Sequence, residues 1–114
     1  RQQEPAPAHE DDPRDVGPLH LDLAGYRAVV DGKDIPLTDL EVRLLRVLAR
    51  ARDRVVRRED LLREVWGPRN EVTTAAVDSH VKRLRLKLGH AGRCLQTVRG
   101  VGYTLTPETR PGSR

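Results

Sequence analysis

The run Val77-Asp78-Ser79-His80-Val81-Lys82-Arg83-Leu84-Arg85-Leu86-Lys87-Leu88 carries two messages in one segment. Val77, Val81, Leu84 and Leu88 fall at i, i+4, i+7 and i+11, which is one continuous apolar stripe along a helix. The remaining surface holds Ser79, Lys82, Arg83, Arg85 and Lys87, with no acid after Asp78. Thr73 or Thr74 can cap the start, and Gly89 stands just past the end. The segment therefore predicts a helix with one side for a core and one cationic side for solvent or a polyanion.

Working upstream, Arg58 to Trp66 places Leu61, Leu62, Val65 and Trp66 on one side of a second helix. Glu59 and Asp60 stand in its first turn, where the helix dipole favours carboxylates, and Gly67-Pro68 ends it. Before it, Val55-Val56 reads as a short extended link. Thr38-Asp39-Leu40-Glu41 has the form of a capping box, with Leu37 and Val42 as a staple, and Leu40, Leu44, Val47, Leu48 and Ala51 recur at helical spacing behind it. Further back, Leu19, Leu21 and Leu23 alternate with polar residues. A run from Tyr26 to Val30, the type I′ turn signal Asp31-Gly32 and the segment Lys33 to Leu37 complete a short antiparallel sheet.

Downstream of Gly92 the chain reads as a hairpin, Cys94 to Val98 and Val101 to Thr106, joined at Arg99-Gly100. Residues 1–17 contain Pro5, Pro7 and Pro13 and few large apolar groups, so they are expected to be an acidic linker or tail. The folded domain is expected over 18–107, with 108–114 a loose C-terminal tail.

Composition narrows the function. The 114 residues contain no Phe or Met and only one Trp and two Tyr, so the core is expected to be Leu, Val and Ala around Trp66 and Tyr103, with little volume for a cofactor pocket. No cofactor and no metal are expected. Cys94 alone supports neither an internal disulfide nor a cysteine cluster and reads as a small hydrophobe in a strand. No apolar run is long enough to span a bilayer and no signal-peptide pattern starts the chain, so a cytoplasmic protein without membrane contact is expected.

The net charge of +4 hides an asymmetry: residues 1–17 balance to −3, whereas residues 50–114 balance to +8. A polyanion would be drawn to the C-terminal half, although acidic small molecules or a membrane surface could use the same field. Two basic projections, the helix and the hairpin tip at Arg99, belong to one unit. A helix fits the major groove of duplex DNA, and an arginine on a slender ribbon fits the narrow minor groove. Other chemistries find less support. Glu59 and Asp60 have no nucleophile or apolar pocket for acid–base catalysis, and Gly100-x-Gly102 is too short for a nucleotide loop. An enzyme is not expected. His80 has no partner at metal-ligand spacing and is assigned a phosphate or backbone hydrogen bond. Asp78, four residues before Lys82, is assigned an intrahelical ion pair.

Four motifs in order carry a resemblance: Leu37-Thr38-x-x-Glu41-x-x-Leu44-Leu45; Arg58-Glu59-Asp60-Leu61-Leu62-x-x-Val65-Trp66-Gly67; Val77 to Leu88; and Gln96-Thr97-Val98-Arg99-Gly100-Val101-Gly102-Tyr103. Over residues 19–106 the chain resembles the OmpR/PhoB winged-helix family, the effector domains of two-component response regulators. The resemblance implies an α+β winged helix-turn-helix with an N-terminal four-stranded antiparallel sheet, three helices and a C-terminal β-hairpin wing. It also implies sequence-specific binding of double-stranded DNA for transcriptional regulation, with the third helix in the major groove and the wing in the minor groove. A monomer alone and a tandem dimer on direct repeats are implied, together with an N-terminal receiver domain, a cognate histidine kinase and RNA polymerase as partners.

Residue by residue, the resemblance places Ser79, Lys82 and Arg83 in the groove and His80 and Arg85 at the phosphate backbone. Thr97 and Arg99 are the wing contacts, and Pro68, Arg69, Asn70 and Glu71 form the polymerase-contact loop. Where the family carries Arg followed by Thr or Asn, this chain has Ala75-Ala76. That departure motivates a second hypothesis, a winged-helix protein-interaction module using the loop 67–74 and the second helix. A third is a regulatory domain fused to a non-receiver partner.

Overall fold

The computed structural model describes residues 15–69 and 71–107. Most of the expected linker, residue Asn70 of the expected polymerase loop and the expected tail at 108–114 lie outside the described residues.

Two antiparallel sheets flank the helices. The first is a meander of β1 (Asp15–Val16), β2 (Leu19–Asp22), β3 (Arg27–Val30) and β4 (Lys33–Pro36), hydrogen-bonded in that order. Period-two alternation buries Leu19, Leu21, Ala28 and Val30 on one face and leaves His20 and Arg27 on the other. Register follows from the Asp31-Gly32 turn, where φ values of 55° and 78° give the mirror-image turn that matches strand twist, setting Val30 opposite Lys33. The sheet starts earlier than the sequence indicated. Asp15 and Val16 pair with His20 and Leu19, and Val16 is buried, so strand β1 lies ahead of the expected boundary at residue 18. Tyr26 stands outside its expected strand, in a left-handed turn with φ 58°.

Helix α1 (Asp39–Arg50) begins at the capping box read from the sequence. Thr38 N donates to Glu41 Oε1 (2.9 Å) and Glu41 N donates to Thr38 Oγ1 (3.2 Å), satisfying two otherwise orphan donors. Val42, Leu44, Leu45, Leu48 and Ala49 are buried. The second helix is α2 (Arg58–Leu61) prolonged by one π-helical turn, Leu62–Trp66. Gly67, at φ 96°, ends it in a conformation that side chains resist. Helix α3 (Thr74–Lys87) buries Val77, Val81 and Leu84, with Leu88 buried at its C-cap. Each such fully buried side chain contributes about 2 kcal/mol. A 3-10 turn, Gly89–Cys94, leads into the second sheet. Cys94 is thus fully buried at the end of that turn rather than within a strand.

The second sheet has three strands where the sequence suggested two. β6 (Leu95–Val98) and β7 (Gly102–Leu105) form the hairpin, and the link read at Val55-Val56 supplies β5 (Val56–Arg57), giving the order β5-β7-β6. Gly102 lets β5 approach: a Cβ there would stand 2.0 Å from Val56 O. The core common to both sheets is leucine-rich, as composition required, but Trp66 packs at its margin, only half-buried.

Candidate nucleic-acid interface

Helix α3 is held on three sides by polar contacts that leave one face outward. At its first turns, Arg58 of α2 donates through Nε to Asp78 Oδ1 (3.0 Å), its second guanidinium nitrogen bonds Oδ2, and the Tyr103 hydroxyl of β7 donates to Oδ1 (2.6 Å). One carboxylate thus ties α2, α3 and the hairpin together. The assignment of Asp78 to an ion pair with Lys82 is corrected: a bidentate guanidinium from a neighbouring helix offers two charge-assisted hydrogen bonds. Burial, then the hydrogen bond to the Asp78 carboxylate, pushes the Tyr103 phenol up from 10.0 to about 12. The same carboxylate raises the pKa of Arg58, so the guanidinium stays charged.

Toward the C-terminal end, Arg85 donates through Nε to Leu95 O (2.9 Å) and through a terminal nitrogen to Thr97 Oγ1 (2.9 Å). Two residues assigned to DNA contact, Arg85 and Thr97, are therefore bonded to each other across the junction of helix and hairpin. The half-buried guanidinium, with two internal acceptors, positions the β6 strand. Lys87, counted on the cationic face, turns back to Glu41 Oε1 (2.7 Å) and Pro36 O (3.1 Å). Desolvation alone would raise the Glu41 pKa, but hydrogen bonds from Lys87 and Thr38 outweigh it and hold the carboxylate below 4.5.

What remains outward is Ala75, Ser79, Lys82, Arg83 and Leu86, all exposed. Three of the assigned groove residues, Ser79, Lys82 and Arg83, lie together there. His80 sits at the edge of this face, its Nδ1 donating to Ala76 O (2.9 Å) and its ring meeting Trp66 edge-on at 5.2 Å between centroids. The backbone hydrogen bond was one of its two assigned roles. The contact with Trp66 had no signature in the sequence, because residues fourteen apart on different helices share no periodicity.

The hairpin tip is likewise exposed at Arg99, Gly100 and Val101. Between it and α3 lies a shallow cleft of about 190 Å³, lined by Arg58, Asp78, Thr97, Arg99 and Tyr103 among others. Pro68, Arg69 and Glu71 are exposed before α3. Among the described residues no group of His, Cys, Asp and Glu could hold a metal, and no helix is long and apolar enough to cross a membrane.

An antiparallel N-terminal sheet, three helices and a C-terminal hairpin, with a cationic outward face on the third helix, define a winged helix-turn-helix DNA-binding domain. Residues 32–105 match the profile of the family described as "Transcriptional regulatory protein, C terminal". The chain belongs to that family, the OmpR/PhoB-type effector domains of response regulators. The transcriptional regulatory protein PrrA of Mycobacterium tuberculosis is 47% identical over 92 residues, 79% of this chain and 40% of PrrA. The chain spans about two fifths of the length of the curated relatives it matches. Among solved structures, the DNA-binding domain of CpxR from E. coli superposes with a TM-score of 0.68 at 36% identity, covering 82% of this chain and 94% of that one. The DNA-binding domain of the response regulator AdeR, solved in complex with an intercistronic region, gives 0.67 at 27% identity, covering 80% and 96%. The family and fold are those of transcription-regulator DNA-binding domains, which are not enzymes.

Proposed function

We propose that α3 lies in the major groove of duplex DNA, with Ser79, Lys82 and Arg83 toward the bases, while Arg99 on the wing enters the adjacent minor groove. The observation that carries this reading is the sorting of cations on α3. Arg85 and Lys87 are engaged internally, whereas Lys82 and Arg83 are left exposed beside the wing arginine. An α-helix fits the major groove, where base edges present a distinct donor and acceptor pattern, and the narrow minor groove attracts arginine. The AdeR DNA-binding domain, which has the same fold, was solved in complex with an intercistronic region, which supports DNA binding by this fold.

The reading extends to tandem binding on direct repeats, to a receiver domain N-terminal to this chain controlled by a histidine kinase, and to contact of RNA polymerase by the loop that includes Pro68, Arg69, Asn70 and Glu71. His80, next to the outward face, is placed at the phosphate backbone through the ring nitrogen not bonded to Ala76. Selection of the 114-residue chain against a randomised duplex pool tests the reading. Enrichment of a direct repeat with half-sites about one helical turn apart is the expected result. An unenriched pool would overturn specific binding by this chain alone and favour the protein-interaction module.

A further inference from the structure

Helix α3 carries a second stripe, on the side away from the core. Ala75, Ser79, Lys82 and Leu86 recur at i, i+4, i+7 and i+11, and all four are exposed. At about 100° per residue, Leu86 projects within roughly 20° of Ser79 and roughly 40° of Lys82, almost opposite the mean direction of Val77, Val81, Leu84 and Leu88. It is 74% exposed, whereas the other exposed large apolar side chains among the described residues, Tyr26, Val55 and Val101, are each less than half exposed. A leucine therefore stands on the centre line of the cationic face, one turn beyond Lys82 and Arg83.

Helix formation does not call for leucine at this position, because Lys, Arg, Gln and Glu favour a helix about as well. The core does not use it either, since the side chain points away from it. A lone surface leucine needs no partner, but this one shares its face with two free-standing cations. Residues three and four apart are neighbours on a helix surface, so a polyanion seated on Lys82 and Arg83 covers Leu86 as well. The branched hydrocarbon end offers neither donor nor acceptor. Pressed on a ring nitrogen, a carbonyl oxygen or an amino group of a base edge, it would displace water without replacing the hydrogen bond. In the major groove one group escapes that cost, the C5 methyl of thymine, the single apolar feature that the base edges present there.

We propose that Leu86 packs on a thymine methyl and so selects an A·T pair beneath the C-terminal turn of α3. The inference rests on the major-groove reading and deepens it. Lys82 and Arg83 supply attraction and hydrogen bonds, and Leu86 supplies a hydrocarbon contact that one base alone can meet. Cytosine, the other pyrimidine, lacks the methyl and presents an amino donor where thymine has O4. Covering one methyl is worth about fourfold in affinity, by the usual transfer value of a buried carbon.

The test starts from the duplex that the randomised selection enriches. Each thymine of one half-site is replaced in turn by deoxyuridine, which removes the methyl and keeps every hydrogen-bonding group. Fluorescence anisotropy with the 114-residue chain is expected to show a loss of about fourfold at one position. Leu86→Ala should bind the thymine duplex about as weakly as the unaltered chain binds the uracil one, with no further loss on substitution at that position. Its thermal transition should not move, because the truncated side chain is exposed. Uracil substitutions that weaken both proteins equally at every position would overturn the proposal, as would the same loss from Leu86→Ala on thymine and uracil duplexes alike. So would a variant that binds a single half-site normally and loses only the pairing of two copies on the direct repeat, since Leu86 would then lie between copies. An unenriched pool would remove the major-groove reading and this inference together. An enriched pool with no coupling between Leu86 and a methyl would remove this inference alone.

Discussion

The two sides of α3 use the same residue types for opposite purposes. On the inner side, Arg85 and Lys87 bond to Leu95 O, Thr97, Pro36 O and Glu41, and Asp78 receives Arg58 and Tyr103. On the outer side, Lys82 and Arg83 meet solvent. A cation that has found an internal acceptor fixes where the helix sits, whereas a cation without one is available to a ligand. Charge counting along the sequence cannot separate the two, since Arg83 and Arg85 are two residues apart and chemically identical. The inner contacts set the spacing between the outer face of α3 and the wing, which the proposed placement of the two in neighbouring grooves requires to be constant.

This division is broken most sharply by exchanging arginine for alanine on either side. Arg83→Ala is expected to weaken specific duplex binding by about 1–3 kcal/mol, the range for a good side-chain contact to a base, with no change in the thermal transition. Fluorescence anisotropy paired with calorimetry reads both quantities. Arg85→Ala should show the reverse weighting, a lowered transition first and weaker binding as a consequence. Equal loss of stability in both variants would erase the distinction.

Asp78→Asn sharpens the comparison at the point where three elements meet. The change keeps the shape and one acceptor but removes the charge that holds Arg58. Because the pair is partly exposed, the loss is expected to be about 1–2 kcal/mol. Denaturant unfolding measures it. Binding should weaken as well, although residue 78 lies on the inner side of α3, since helix and wing lose their common anchor.

What could be read beforehand follows the range of the forces involved. The capping box at Thr38, the mirror-image turn at Asp31-Gly32 and the stripe from Val77 to Leu88 are local, and each appears where its residues stand. Pairings between distant segments left weaker traces. Val56 gave only a β-branched hint, and its strand became visible once β7 lay beside it. Asp15 and Val16 were hidden in a proline-rich acidic stretch and are strand residues because β2 offers them an edge. Likewise Ser79, Lys82 and Arg83 were legible as an outward face from helical geometry. The hydrogen bond between Arg85 and Thr97 was not legible, because it spans twelve residues and a change of element. Resemblance to a family supplied the architecture in which those long-range partners meet, but not the partners.

The inner contacts also give the domain two pH limits. Tyr103 is raised by burial first and by Asp78 second, from 10.0 to about 12. A group whose pKa is higher in the folded state contributes stability that is complete below its unfolded value and disappears as pH rises through the folded one. Unfolding free energy should therefore fall between pH 10 and about 12. Tyr103→Phe should remove the Tyr103 part of that alkaline limb, at a cost of about 1 kcal/mol at neutral pH for the lost hydrogen bond.

At the other end of the range, Glu41 is depressed, so its contribution has the opposite sign: present above pH 4.5 and lost as pH falls through the lower folded value. Lys87 supplies much of that depression against the opposing pull of burial. In Lys87→Met, burial is left opposed mainly by the hydrogen bonds of Thr38. The Glu41 pKa should then move back toward or above 4.5, and the loss of stability on acidification should flatten. At neutral pH the variant is expected to lose only about 0.5 kcal/mol, the usual worth of a pair this near the surface. Denaturant titrations at neutral pH and below 4.5 separate the two effects. A parallel downward shift at both pH values would mean that Lys87 acts through packing of its methylene stem and not through the carboxylate. An unchanged acid limb with intact neutral stability would show that the capping box alone holds Glu41, leaving the C-terminal end of α3 anchored by Arg85.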